Sequence, residues 1–444
     1  MAGHTNRRTF LKVAGGTGTM ALTGLAGCTG STGGDSGGDS GADSDGTDEM
    51  DDSESGDSGG SNDSGSNVIT LGGSMSLSGD NADLGKLYKD AYELTIQKIN
   101  EAGGVEAGDG NTYELEMVLR DDETDASKSK TIYQELIDKD GIDYLLGPYS
   151  SSVTLPASAV AAKNQKPMVE GGGASPEIFS QGNEFIFGLL PTADKYPLSA
   201  IDMAAAQSPA PKKAAILAED DTFSQSTAEG ARKKMESVGL DIVVDETFPS
   251  STSDLSTNLG KVRDQGADVL VLAAHQKHAI VAAKQMESQD VNVDMAMATV
   301  GSLNDSFKEE TGANGDYMYG PSSWASNADF EDEIYGSTSD FVSAIEDEYG
   351  YAPDYHSAAG ASVIQTFQRA FETVDEVTPT KVRDAIRDTQ FKTCYGQVAF
   401  TDNGVIDKKM LVYQWQPEDG KQIVWPENVQ QSAPVYPMPA WAER

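Results

Sequence analysis

Three consecutive serines, Ser150-Ser151-Ser152, follow Gly147-Pro148-Tyr149 and precede Val153-Thr154-Leu155-Pro156-Ala157-Ser158. Hydroxyls and free backbone N–H groups at the start of a helix suit a carboxylate or another polar ligand oxygen. The same residues also make an ordinary Ser-capped turn, and the triplet alone does not separate the two. Other residue types that could do chemistry are thinly spread. His275 and His278 stand three apart, which would put both on one helical face, but no Glu or Cys supplements them into a zinc set. Gly171-Gly172-Gly173 lacks the following Gly-Lys-Ser/Thr of a phosphate loop, and no G-x-G-x-x-G opens a helix. No G-x-S-x-G elbow presents a serine nucleophile. The string Glu219-Asp220-Asp221 reads as a solvated loop at a strand exit. No catalytic residue, metal site or cofactor is expected from these patterns.

The elements that must position these residues alternate strand and helix. Residues 68–73, 113–119, 142–146 and 167–169 read as strands, the last two as short buried runs. Between them, apolar residues recur at Leu84, Leu87/Tyr88, Ala91/Tyr92, Ile96 and Ile99, then at Ile132/Tyr133 and Leu136/Ile137, which are helical stripes. After Pro191 the pattern restarts. Strands are expected at 214–218, 242–244, 269–272 and 295–298, with helices at 226–238, 255–262 and 279–286. Helices at 341–349 and 355–371 and late strands near 395–400 and 410–415 close the chain. Two such series predict an α/β protein of two doubly wound, Rossmann-like lobes with parallel sheets. Ligands bind such sheets at the carboxyl ends of their strands. Five strand-exit loops carry small polar or aromatic residues: 74–79, 149–152 (with Tyr149), 171–175, 219–224 and 273–275. Together they describe a ligand cleft between lobes.

Composition bounds the setting. Arg7-Arg8-Thr9-Phe10-Leu11-Lys12 is a twin-arginine pattern, and Leu25-Ala26-Gly27-Cys28 has the form of a lipobox, which would leave Cys28 lipidated at the mature N-terminus. Residues 1–28 thus read as an export signal and 29–67, with eleven acidic side chains and no Lys or Arg, as a disordered acidic Gly/Ser tether. From Val68 onward there are sixty acidic and twenty-nine basic residues, a net charge of −31. Acidity spread over a whole surface suits a protein that works in molar salt and, with the lipoprotein signal, points to a haloarchaeon. It excludes nucleic acid as a partner, since no basic stripe meets phosphates. With Cys28 lipidated, Cys394 stands alone and no intrachain disulfide is possible.

Residues 69–79, Gly85, Ile99-Asn100-Glu101-Ala102-Gly103-Gly104-Val105, Asp121-Asp122, residues 147–158 and Ser175-Pro176-Glu177 resemble the branched-chain amino acid-binding proteins of ABC transporters. These form the leucine/isoleucine/valine-binding class of type I periplasmic binding proteins. The resemblance runs from about Val68 to the end and is most specific in its first 110 residues. It implies a multi-crossover hinge, with one lobe of 68–190 plus 320–396 and another of 191–319 plus 397–444. It places Ser151 as the anchor of a ligand carboxylate, flanked by Ser150 and Ser152. Gly172, Gly173 and Ala174 follow in the next loop, without the family's threonine. Phe223 and His275 match aromatic walls where tyrosines are common, and Trp324 could line the cleft, core or surface. Val300 stands where the family has an acid that pairs with the ligand ammonium. Either Glu170 or Asp220 substitutes for it, or the match slips there, or the ligand is not an α-amino acid. The resemblance thus implies a lipid-anchored receptor on the outer face of the membrane. It would hand a branched-chain amino acid or a related small polar compound to an ABC permease, without chemistry. The rival expectations are a sensory receptor of the same fold for an amide, urea or organic acid, and a secreted hydrolase using one of the serines.

Overall fold

The computed structural model describes residues 67–388 and 390–444. The twin-arginine segment, Cys28 and all of the tether but its last residue lie outside the described residues. The described residues belong to one compact unit.

Two sheets organise it. The first contains β1 (Asn67–Met75), β2 (Val105–Glu106), β3 (Thr112–Asp121), β4 (Tyr144–Leu146), β5 (Met168–Glu170) and β6 (Ile186–Gly188), in the order β2-β3-β1-β4-β5-β6. All of its pairs are parallel except β2 with β3. The second begins with β7 (Lys213–Glu219), β8 (Asp241–Phe248), β9 (Val269–Ala273), β10 (Met295–Ala298) and β11 (Tyr319–Ser322). Two short hairpins follow, β12 (Glu331–Asp332) with β13 (Gly336–Ser337) and β14 (Gln390–Thr393) with β15 (Gly396–Ala399). Strands β16 (Leu411–Gln416) and β17 (Gly420–Trp425) then complete the second sheet in the order β17-β16-β11-β10-β9-β7-β8. The strand expected near 395–400 is therefore an arm of a separate hairpin, while the one near 410 joins the second sheet.

Helices cover the sheets: α1 (Ala82–Glu101), α2 (Ala126–Asp138), α3 (Ser151–Lys163), α4 (Pro176–Phe179), α5 (Leu198–Ala205), α6 (Thr222–Ser237), α7 (Ser256–Gln265), α8 (Gln276–Ser288), α9 (Asp305–Thr311), α10 (Thr338–Tyr349), α11 (Tyr355–Thr373) and α12 (Pro379–Asp388). Helix α1 buries Leu84, Tyr88, Ala91, Tyr92, Thr95 and Ile99, a stripe at the helical period that packs on α11. It ends at Gly103 and Gly104; the latter has φ +85°, and a Cβ there would lie 2.4 Å from the Tyr113 carbonyl oxygen. Strand β9 is buried on both faces, as a central parallel strand must be.

The chain passes between the sheets three times: after β6, after β11 and before β16. At the third passage Gly188 donates to the Gly404 carbonyl at 2.8 Å and accepts from Ile406 at 3.1 Å, so the outgoing and returning segments run side by side. The two Rossmann-like lobes, each built on a largely parallel sheet, are thus joined by several crossovers.

Candidate functional site

Strand β4 ends at Leu146, and its exit delivers the serines. Ser150 is the N-cap of α3 with extended backbone, yet its hydroxyl makes no capping bond. The expected serine cap is absent, and Thr154 Oγ1 instead donates to the Pro148 and Ser150 carbonyls at 3.0 and 2.8 Å. This tightens the turn and leaves the serine hydroxyls for other partners. Ser151 Oγ accepts from the amides of Ala174 and Ser175 at 2.9 and 3.0 Å. Ser152 Oγ accepts from Thr222 N–H, on the other sheet, at 3.3 Å.

The loop after β5 meets this segment closely. A Cβ on Gly172 would lie 2.6 Å from the Pro148 carbonyl oxygen, so only glycine fits there. Glu170 Oε2 accepts from Gly172 N–H at 2.9 Å and from Gly173 N–H. Burial pushes the Glu170 carboxyl up to about 8, against the lowering pull of these two donors. Glu170 therefore props the glycine loop from beneath, and Asp220 is exposed. The other Glu170 oxygen, Oε1, is buried without a hydrogen-bond partner.

The second sheet supplies the facing wall. Tyr149 Oη lies 3.1 Å from His275 Nδ1, and the His275 ring lies 5.4 Å from Phe223. Phe223 in turn packs edge-on against Tyr196 at 5.2 Å. Val300 is buried in one apolar cluster with Tyr149, Ala174 and Phe223. Trp324 is core: its Nε1 donates to the Cys394 carbonyl at 2.8 Å and its ring packs on Phe341.

The acidic string is not a solvated loop. Asp221 caps α6, accepting from Phe223 and Ser224 amides at 2.8 and 3.0 Å, and lies 3.6 Å from His275 Nε2. Glu219 Oε2 lies 2.9 Å from His278 Nδ1. Burial alone would lower the His275 imidazole, but Asp221 and Glu219 outweigh it and hold its pKa above the ordinary value. Burial raises and His275 lowers the Asp221 carboxyl, and the net is downward. The two histidines thus do have acidic neighbours, brought from more than fifty residues away. No group of three or more metal-ligating side chains occurs among the described residues.

These loops enclose a cavity of about 230 Å³ lined by Ser150, Ser152, Glu219, Asp221, His275 and Lys277, among others. Its mouth is bridged by Lys277 of α8 and Asp80 of the β1 exit loop, 2.7 Å apart. The structure thus brings Tyr149, the three serines, Gly172–Ala174, Phe223 and His275 to one place, and buries Val300 in the core cluster that contains Tyr149 and Phe223. Reasoning from sequence missed Tyr88, Tyr196, Glu219, Asp221, Lys277 and His356. The D-x-x-S spacing of an N-cap at Asp221 was a usable signal; the others had none.

The sequence profile of periplasmic binding proteins matches residues 68–421. The chain belongs to the periplasmic binding protein family. This periplasmic binding protein is 25% identical over 389 residues to the "Leu/Ile/Val-binding protein homolog 8" of Brucella abortus (strain 2308), covering 81% of this chain and 91% of that one. Its fold is similar to a branched-chain amino acid transporter substrate-binding protein from Streptococcus pneumoniae in complex with isoleucine (TM-score 0.70, 19% identity, 81% and 100% of the two chains). It is also similar to a solute-binding protein of an ABC transporter from R. palustris in complex with benzoate (TM-score 0.69, 17% identity, 80% and 94%). No helix among the described residues is long and apolar enough to cross a membrane.

Proposed function

We propose that this periplasmic binding protein is the solute receptor of an ABC importer and binds a branched-chain amino acid or a related small polar compound between its lobes. The observation that carries this reading is the convergence of exit loops from both sheets on residues 149–152, with Ser151 holding two loop amides and Tyr149 meeting His275 across the cleft. A ligand oxygen can displace or join the Ser151 hydroxyl at those amides, and the orphan N–H groups of the first turn of α3 add to the same anchor. One lobe is 68–190 plus 320–396 and the other 191–319 plus 397–444, closing on the solute by hinge motion. The chain does no chemistry. It leaves the cell by the twin-arginine route and is held at the outer membrane face through lipid on Cys28, with 29–67 as a leash.

Relatives of this fold in complex with isoleucine and with benzoate support both an amino acid and an organic acid as solute, and the apolar Val300 favours the latter. A thermal-shift panel in molar KCl with branched-chain and other amino acids, amides, urea and organic acids tests the reading. A true solute at a hundred times its Kd stabilises by about 2.7 kcal/mol. A panel without any shift overturns it.

A further inference from the structure

The histidines of the described chain all stand near the cleft, and one is incomplete. His275 meets Tyr149 and Asp221; His278 meets Glu219 and the Thr252 carbonyl. His356, at the start of α11, has its Nδ1 2.7 Å from Asp354 Oδ2. A carboxylate only accepts, so Nδ1 carries the proton, and in the neutral ring Nε2 is then a free acceptor. Nε2, on the far edge of the ring, is buried without any hydrogen-bond partner. The ring lies 5.7 Å from Tyr88 and 5.8 Å from Tyr149, edge-on to both. Tyr149 is the same ring that meets His275 across the cleft.

Buried polar atoms are paired in folded proteins, and an exception asks for a partner that arrives later. We propose that His356 Nε2 is a solute contact, and that the natural solute carries a hydrogen-bond donor, a hydroxyl or amide N–H, at the end opposite the oxygen anchored by Ser151. The inference rests on the receptor reading and narrows its solute class. A leucine-like branched end would leave Nε2 unpaired in the closed complex, whereas a hydroxyl or amide end pairs with it. Val300 is apolar, Asp221 and Asp354 already accept from the first turns of their own helices, and Glu219 accepts from the His275 backbone N–H and faces His278, while Glu170 Oε1, beneath the glycine loop, is buried without a partner. The solute is thus a small carboxylate or amide with a hydrogen-bond donor at its far end.

Calorimetric titration of the full chain in molar KCl with two matched pairs tests this: 4-hydroxybenzoate against benzoate, and asparagine against leucine. In wild type the donor-bearing member of a binding pair is expected to bind at least about tenfold more tightly, since a site built to hydrogen-bond rejects the analogue without the group. In His356→Leu that preference is expected to vanish, with the affinity for the plain member unchanged or improved. Equal binding within the pairs, or a preference that survives in His356→Leu, overturns the inference and leaves the receptor standing. No binding by either pair, alongside solutes found in the thermal panel that lack any far-end donor, also overturns it alone; no binding by any compound removes both. Should His356→Leu fail to fold, the Nε2 nitrogen resonance of wild type decides. It is expected to move on adding the donor-bearing ligand, and an unmoved resonance overturns the contact.

Discussion

Ser151 gathers two amide N–H groups on one oxygen in a site that is 1% exposed. Removing the hydroxyl leaves both donors buried and unpaired, each costing about 1–3 kcal/mol. Ser151→Ala is therefore expected to lower stability by about 2 kcal/mol in urea unfolding and to weaken solute binding at least tenfold by calorimetry. Neither form should hydrolyse an ester or amide, which separates the receptor from a serine hydrolase. Glu170 is the other residue on which the loop depends. Its carboxyl, at about 8 in the fold against 4.5 unperturbed, is raised, so its contribution is fully present below 4.5 and lost as pH rises to about 8. The slope over that window is about 1.4 kcal/mol per pH unit. Glu170→Gln keeps an acceptor for Gly172 and Gly173 and cannot ionise. The variant is expected to equal wild type in stability near pH 5 and to exceed it at pH 9, and a parallel decline of both proteins would refute the neutral buried acid.

Helices α6 and α8 begin at the exits of β7 and β9, and their caps are Asp221 and His275. The cap of one helix thus sets the charge of the cap of the other. His275 is held above 6.5 by Asp221 and Glu219, so its stabilising charge is complete below 6.5 and fades as pH rises through the raised value. Asn is as good an N-cap as Asp, so Asp221→Asn should leave α6 intact. Burial then opposes the imidazolium with less resistance, and the His275 midpoint in an NMR titration is expected to fall; an unchanged midpoint would assign the shift to Glu219 alone. These elements also show what the sequence could tell. Helix α1 and strands β1, β7 and β9 were legible because their apolar residues repeat at 3.6 or run unbroken. Strand β17 (Gly-Lys-Gln-Ile-Val-Trp) and helix α12, which buries only Val382 and Ile386, offered too few apolar positions to fix a period. The place of the serine segment at a strand exit was legible from the short apolar run before it. The burial of Glu219 and Asp221 was not, because the imidazoles that shield them come from β9's exit, and the packing of His356 against Tyr88 and Tyr149 depends on a crossover that no local pattern announces.

On the scale of the whole molecule, one variable acts in opposite directions on fold and closure. The net charge of −31 from Val68 onward repels itself when the Debye length is about 10 Å, at 0.1 M salt, and hardly at all when it is about 3 Å, at 1 M. The melting temperature is therefore expected to rise steadily with KCl. The Lys277–Asp80 bridge spans the mouth between the lobes, with side chains 33% and 63% exposed. An exposed pair of this kind is worth at most about 1 kcal/mol and is screened by the same salt. Closure in molar KCl must then rest on buried contacts such as Tyr149 with His275 and Ser152 with Thr222, which screening does not reach. Lys277→Met is expected to weaken solute binding up to about fivefold at 0.1 M KCl and to leave it unchanged at 2 M, while the rise in melting temperature with salt persists in both proteins. Calorimetry at the two salt concentrations reads this directly. A Lys277→Met defect that is as large at 2 M as at 0.1 M would make Lys277 a contact of the solute rather than a latch on the cleft.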